Sequence, residues 1–429
     1  MSEIERPISL IVRLNGYEVG TLLRTPDRTI TFTFNPAYIE DEERPTLSFG
    51  FYDALGRLRT RRYSSNPQAP GFFANLVAEG HLRDYTAHRA GIARDDDFGL
   101  LWVTGDDLLG AVTLEDPEGR PLPPPSAGGP IDAPPLQDMF RFALTGVQIK
   151  FSAIRAATGG LTIRTHGDGG NRIVKLPSMH FEHVPEGEHA MLQFAREVGI
   201  PVPAMELVPL EQIGGLPDEV RTLTGRALVL DRFDRPAQGA KVHIEDFNQI
   251  FKQQPRQKYD NHPFADIAKT IYQALGNDGL ITFIERLVFN IGIANNDMHL
   301  KNWSFIYPDG RHPQLAPAYD YVCTKAYLGH NETGLALGTA RFFPQVSLEE
   351  FDRLANRAEV STRVVRVAAR DMVERMLERW PTARDRVPVP AIVEVIDEQL
   401  RTVPLFRPQV AVTGIAPAEP APPIHEELS

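Results

Sequence analysis

Apolar and polar side chains alternate through most of Ile8-Ser9-Leu10-Ile11-Val12-Arg13-Leu14, which predicts a strand. Asn15-Gly16 is a hairpin signal, and Tyr17 to Leu23 reads as the return strand. From Thr29 to Phe34, Thr alternates with apolar residues and predicts a third strand. The run from Gly71-Phe72-Phe73 to Leu82 reads as a short helix, and Asp106 to Leu114 as a helical turn running into a strand. Residues 8–115 therefore predict a small α+β module.

The stretch Pro121 to Pro135 is dominated by Pro, Gly and Ala and reads as a linker, because such a run holds neither a helix nor a central strand. Beyond it, Ile149 to Ala157, Leu161 to Thr165 and Arg172 to Leu176 predict strands, with turns at Gly159-Gly160 and at Gly167-Asp168-Gly169-Gly170. Met191, Leu192, Ala195 and Val198 fall at helical spacing and predict a helix from Glu188 to Val198, closed by Gly199 and Pro201. Val202 to Leu210 and Ala227 to Phe233 are further strands, and from His243 onward the pattern is mostly helical. The tail after Phe406 is rich in Pro and Ala and predicts disorder. The expected organisation is an N-terminal subdomain (1–120), a linker (121–135), a small lobe (136–235), a helical lobe (236–405) and a tail (406–429).

Composition narrows the class of protein. The 429 residues are 42% hydrophobic and 24% charged, an ordinary globular balance. The net charge of −11 argues against a general nucleic-acid coat but leaves room for one local basic face. Cys323 is the single cysteine, so neither an internal disulfide nor a Cys-rich zinc site can form, which suits a reducing cytosol and predicts a cytoplasmic protein. Met1 to Leu10 carries Glu3 and Glu5 and no long apolar core, unlike a signal peptide. No run reaches the roughly 18 apolar residues of a membrane span.

The chemistry concentrates in Asp297-Met298-His299-Leu300-Lys301-Asn302, with Asp320 following in Ala318-Tyr319-Asp320-Tyr321. Protein kinases use this order: an Asp that accepts the attacking hydroxyl's proton, an Asn five residues on, then a metal-binding Asp. Asn302 and Asp320 offer the hard oxygens that Mg²⁺ prefers. Lys175 ends an apolar strand, where a kinase places the Lys that meets ATP phosphates, and Glu188 lies where its paired Glu belongs. Singly, each residue reads as a turn former, a helix-start carboxylate or a solvated charge. Their joint spacing favours the kinase reading. Lys301 reads as a phosphate-neutralising or a solvated cation, and the role of His299 stays open. Thr145-Gly146-Val147-Gln148, leading into Lys150, is a loop whose backbone N–H groups suit phosphate, although it has one glycine and no P-loop pattern. Leu230-Asp231-Arg232-Phe233-Asp234-Arg235 ends a strand at the place of a kinase hinge.

Together these residues resemble the HipA-type toxin kinases of bacterial type II toxin–antitoxin modules. The likeness runs from about residue 8 to about residue 380. It is carried by Thr145-Gly146-Val147-Gln148 with Lys150, Ile173-Val174-Lys175-Leu176-Pro177, Glu188, Asp231-Arg232-Phe233-Asp234-Arg235, His243-Ile244-Glu245-Asp246-Phe247, Asn296 to Asn302 and Tyr319-Asp320. The resemblance implies an α+β, two-lobed kinase-like fold and a Ser/Thr kinase that uses ATP and Mg²⁺. Lys175 would bind ATP phosphates, Asp231 and Phe233 would line the adenine region, Asp297 would be the base, and Asn302 and Asp320 would hold metal. It implies a separately encoded helix-turn-helix antitoxin (HipB-like) as partner, operator DNA reached only through that complex, no membrane, and a protein target such as an aminoacyl-tRNA synthetase. Where family members often carry an autophosphorylated Ser, this chain has Ala143, so that self-inactivation is expected to be absent, with Thr145 and Ser152 as possible substitutes. A catalytically silent family member that binds antitoxin and DNA, and a small-molecule kinase, are the competing readings. Arg363, Arg366 and Arg370 share one helix face, read either as a solvated row or as a phosphate-contacting one.

Overall fold

The computed structural model describes residues 6–123, 150–155, 161–163, 170–178, 180–216, 220, 223–236 and 240–407. Most of the expected linker, the tail from 408, and Ala143, Thr145, Gly146, Val147 and Gln148 lie outside the described residues, as do the side chains of Lys150 and Ser152.

The first module is an antiparallel sheet of β1 (Ser9–Leu14), β2 (Tyr17–Arg24), β3 (Ile30–Phe34), β4 (Tyr63–Ser65) and β5 (Val112–Glu115), in the order β4-β3-β2-β1-β5. Leu10, Val12 and Leu14 of β1 point into its core, and Ser9, Ile11 and Arg13 lie outward, as a period of two requires. Asn15 (φ 48°) and Gly16 (φ 82°) make the hairpin turn with both central residues left-handed. Phe32, Phe34, Tyr38, Phe51, Phe72 and Phe73 fill an aromatic core. The helix expected over Gly71 to Leu82 is broken into Gly71–Ala74 and Gly80–Ala90. Asn75 ends the first piece by turning its amide Nδ2 onto Gly71 O (2.7 Å) and Gln253 O (2.8 Å).

The second sheet combines β6 (Lys150–Arg155), β7 (Leu161–Ile163), β8 (Arg172–Lys175), β9 (Met205–Pro209), β10 (Ile213–Gly214) and β11 (Arg226–Asp231), in the order β10-β7-β6-β8-β11-β9. The helix Val184–Glu197 packs against β11 and β9. It starts four residues before the expected position, because Pro185 sits in the first turn, where a missing N–H costs nothing. Glu188 therefore lies in the second turn rather than at the helix start. Met191, Leu192, Phe194 and Ala195 form the buried stripe.

The last part is built on Phe264–Gly292, two helical stretches joined at a kink where Gly276 is left-handed (φ 65°), with Leu348–Ala358, Thr362–Ala383 and Pro390–Thr402 packed around them. It is not as uniformly helical as the pattern suggested. β12 (His243–Asp246), β13 (Ser304–Tyr307) and β14 (Gln314–Leu315) form a small sheet, and β15 (Glu332–Leu337) pairs with β16 (Ala340–Phe342). All four residues of β12 are buried although three are polar or charged, so no alternation marks the strand. The helix Phe264–Gly292 ends in Ala294, which is left-handed (φ 53°), and the chain then runs through residues 295–302 into β13. This places the Asp297 loop at the end of the second helical stretch and beside a strand.

Candidate active site

Lys175 ends β8 and is 6% exposed. Its Nζ donates to Glu188 Oε1 (2.5 Å) and to Asp320 Oδ1. Glu188 is wholly buried, one helical turn inside Val184–Glu197. Burial opposes the charge on Lys175, but the carboxylates of Asp320 and Glu188 outweigh it and hold the ammonium above its ordinary pKa. A strand end, the helix that follows it and a turn 145 positions on thus meet at one cation.

Asp320 adopts φ 55°, the left-handed region that a non-glycine residue enters at a cost of about 1–2 kcal/mol. Asn295 supports this turn. It is 2% exposed, and its Nδ2 donates to Asn290 Oδ1 (2.8 Å) and Asp320 O (3.3 Å) while its Oδ1 accepts from Asp297 N (3.0 Å). One buried amide thereby ties the Asp297 loop to the Asp320 turn. Asn302 Nδ2 donates to Asp297 O (2.7 Å) and closes the loop from its other end. Asn302 and Asp320 also line one small cavity of about 10 Å³.

The Asp297 carboxylate is partly exposed and accepts a hydrogen bond from the Tyr259 hydroxyl at Oδ1. Desolvation raises its pKa; Tyr259 and Lys258 pull it down, Asp320 pushes it up and Lys175 pulls it down. Asp297, Asp320 and Lys175 are therefore close enough to act on one another's charge. His299 Nε2 lies 3.7 Å from Asp297 Oδ1, and burial first, then Lys258, keeps the imidazole neutral. The ring of Tyr259 meets the ring of His299 edge-on at 5.1 Å.

Other expected site residues have further occupations. Lys301 Nζ contacts Glu79 Oε1 (2.7 Å), Asn75 Oδ1 (3.1 Å) and Asp246 Oδ2 (3.8 Å), so its charge is spent on the first module and on β12. Asp231 receives Arg172 Nε at 2.9 Å. Phe233 packs beside Ile244, Ile306 and Ala316, 6.0 Å from the Tyr319 ring. The charges that follow Asp231 turn toward the first module. Asp234 Oδ2 accepts from Gly110 N (3.0 Å), Arg232 Nη2 (2.7 Å) and Arg235 Nη1 (2.8 Å).

Comparison with known proteins agrees with this architecture. The family described as the HipA N-terminal domain matches residues 10–115, and the HipA-like C-terminal domain matches residues 142–380. "Putative kinase Y4dM" of Sinorhizobium fredii is 44% identical over 402 residues, which cover 93% of this chain and 98% of that protein. The chain belongs to the HipA family. Within that family, the "Serine/threonine-protein kinase toxin HipA" of Shewanella oneidensis is 24% identical over 295 residues, 60% of this chain and 63% of its own length. The solved complex of HipA, HipB and operator DNA from the same organism contains a chain that superposes with a TM-score of 0.65 at 16% identity, covering 91% of this chain and 95% of that one. The fold is the two-lobed, kinase-like α+β fold with an added N-terminal module. Among the described residues no helix is long and apolar enough to cross a membrane.

Two contributors to this HipA-family site were not singled out from sequence. Tyr259 arrives from a turn 38 positions before Asp297, with no spacing signal to mark it. Asn295 carries no sequence signal either, because nothing in its neighbourhood announces that its amide faces inward.

Proposed function

We propose that this chain is an ATP-dependent serine/threonine protein kinase, acting in the cytoplasm as the toxin of a type II toxin–antitoxin module. The observation that carries the proposal is the convergence of Glu188 and Asp320 on Lys175, with Asp297 and Asn302 on the adjoining loop. Lys175 supplies a fixed positive charge for phosphate oxygens. Asp297 takes the proton of the attacking hydroxyl, and Tyr259, Asn295 and Asn302 orient its loop. Burial keeps His299 neutral beside Asp297, able to accept or donate one hydrogen bond.

The donor set fits Mg²⁺. Asp320 and Asn302, which carry one carboxylate and one amide oxygen, line the same cavity, and among the described residues no group of three or more His, Cys, Asp or Glu is placed to hold a metal ion. Mg²⁺ commonly takes one or two protein ligands and completes its shell with water and substrate phosphates. When bound there, it would neutralise charge on the transferring phosphoryl group. Asp231 and Phe233 stand at the strand end where the adenine would lie, and the segment Thr145 to Gln148 with Lys150 is assigned to the phosphates.

The partner we assign is a helix-turn-helix antitoxin, with operator DNA engaged through it, since the Shewanella oneidensis complex holds HipA, HipB and operator DNA together. The substrate class we assign is a cellular protein such as an aminoacyl-tRNA synthetase. The test is transfer of labelled terminal phosphate from ATP to protein by the wild type and by Asp297→Asn. Transfer by the wild type and loss of at least about a hundredfold in the variant are expected. Equal ATP consumption by both would sink the proposal.

A further inference from the structure

A cavity of about 360 Å³, far larger than the space between Asn302 and Asp320, opens between β4, the short helix Gly71–Ala74 and the segment Lys252–Gln254. It belongs in part to the first module and in part to the large lobe. Arg61, Arg62 and Lys252 line it together with the hydroxyl residues Ser64 and Ser65, and no Asp or Glu does. Among the described residues none of these three cations, nor the neighbouring Arg59, has a carboxylate within 4.0 Å. Among the described residues most other arginines lie within 4.0 Å of a carboxylate, for example Arg13, Arg24, Arg83, Arg235 and Arg366. Arg59-Thr60-Arg61-Arg62 is thus the local basic face that a net charge of −11 leaves room for.

Lys252 is built into the cavity wall rather than waving in solvent. Its backbone is left-handed (φ 55°), and its Nζ donates to Gly50 O (2.6 Å) and Ile250 O (3.2 Å). Gly71 is required alongside it, because a Cβ there would lie 2.1 Å from Lys252 O. Burial, followed by repulsion from Arg59, lowers Lys252 to a pKa of about 8. Glu245 works the other way, but its Oε1 already accepts from Phe49 N (2.7 Å) and the Tyr307 hydroxyl (2.5 Å). Cations gathered without counter-charges around a concave, hydroxyl-lined space are stabilised by an anion that accepts several hydrogen bonds at once.

We propose that this cavity binds a phosphate-bearing anion, either a free oligophosphate or a phosphorylated side chain, through Arg61, Arg62, Lys252 and the Ser64 and Ser65 hydroxyls. The proposal does not depend on the chain being a kinase. The site is nevertheless wired toward the Asp297 loop. Gln253 O, next to Lys252, accepts from Asn75 Nδ2 (2.8 Å), and Asn75 Oδ1 accepts from Lys301 Nζ (3.1 Å).

The experiment is calorimetric titration of the full chain with inorganic tripolyphosphate and, separately, with a short phosphoserine peptide. The nucleotide site is first filled with a non-hydrolysable ATP analogue, so that any remaining site is read alone. Wild type is compared with Arg61→Gln/Arg62→Gln, whose side chains are exposed and whose folding is checked by circular dichroism, and with Lys252→Met. One site per chain that weakens at least about tenfold in both variants is expected, since each variant removes charge-assisted hydrogen bonds to the anion. Preference for tripolyphosphate identifies a free ligand, and preference for the peptide a phosphorylated protein; either sustains the proposal. Equal affinity of wild type and the double arginine variant for both probes overturns it. So does a short DNA duplex that binds this site more tightly than either probe, because the face would then be a nucleic-acid contact.

Discussion

Replacing Lys175 by Met removes the charge on which Glu188 and Asp320 converge. At 2.5 Å and an effective dielectric near 20, the Lys175–Glu188 attraction alone is about 7 kcal/mol before desolvation is subtracted. Desolvating each ion costs several kcal/mol, so the net value of the intact cluster is small. Removing only the ammonium is a different matter, because the wholly buried Glu188 then faces Asp320 with no cation between them. The expected cost is about 3–5 kcal/mol of stability in the part of the chain that holds the cleft. Adding Glu188→Gln to Lys175→Met removes one of the two stranded carboxylates and should recover about 1–3 kcal/mol, whereas in the wild type Glu188→Gln is itself destabilising. Urea unfolding followed by tryptophan fluorescence reads this, in a Trp102→Phe background so that Trp303 and Trp380 report the large core. Additive effects of the two substitutions, or a loss under about 1 kcal/mol for Lys175→Met, would show that Lys175 and Glu188 do not form a desolvated pair.

Three further outcomes follow from the same geometry. Asp297 must be ionised to accept a proton, its folded pKa is raised by burial, and the Tyr259 hydroxyl pulls it back down, so activity should fall as pH drops through that raised value. Tyr259→Phe should move this acid limb to higher pH in a kcat/KM profile; an unmoved limb would mean that Tyr259 does not touch the working carboxylate. Asp320→Asn should raise the Mg²⁺ concentration for half-maximal phosphoryl transfer by at least about tenfold, and an unchanged Mg²⁺ dependence removes Asp320 from the metal site. Burial raises Asp246 to a pKa of about 6 and Lys301 opposes that rise, so Lys301→Met should raise it further. Because a carboxyl with a raised folded pKa loses stability as pH climbs through that value, the deficit of the variant against the wild type should be smallest near pH 4–5 and widen above about pH 6 in urea unfolding.

The parts of the site legible in sequence are those whose chemistry depends on residue type and order. Asp297, Asn302, Asp320 and Lys175 could be picked out because few side chains offer a proton acceptor, hard metal donors and a strand-end cation in that succession. The geometry that holds them was less legible. Glu188 was found by its place in the order, yet its helix begins at Val184, since a proline in the first turn extends rather than stops the helix. β12 escaped notice because His243 and Glu245 are buried through contacts made elsewhere, with Leu47 O and Phe49 N, and Asp246 by capping the helix that follows, with Gln249 N. A polar residue satisfied by a distant backbone leaves no periodic trace. Tyr259 and the Asn75–Lys301 contact, which spans 226 positions, fail to show for the same reason.

The first module is more than an appendage, and the contacts that show this were read from sequence as parts of a nucleotide site. Asp234 and Arg235, just after the strand end assigned to the adenine, bind Gly110 N, Gly110 O and Leu108 O. Lys301, inside the loop assigned to proton transfer, binds Glu79 and Asn75. The module therefore reaches the surroundings of the site at Asp234 and Arg235 as well as at Lys301. Asp234 is 3% exposed between two guanidiniums, so its contact cannot loosen without stranding buried charge, and the hinge side is the rigid anchor. The Lys301–Glu79 contact is partly solvated, with Glu79 34% exposed, and exposed pairs of this kind contribute only about 0–1 kcal/mol. The Lys301–Glu79 pair is accordingly the weaker of these two contacts, while the bond from Lys301 to Asn75, itself 2% exposed, is shielded from water.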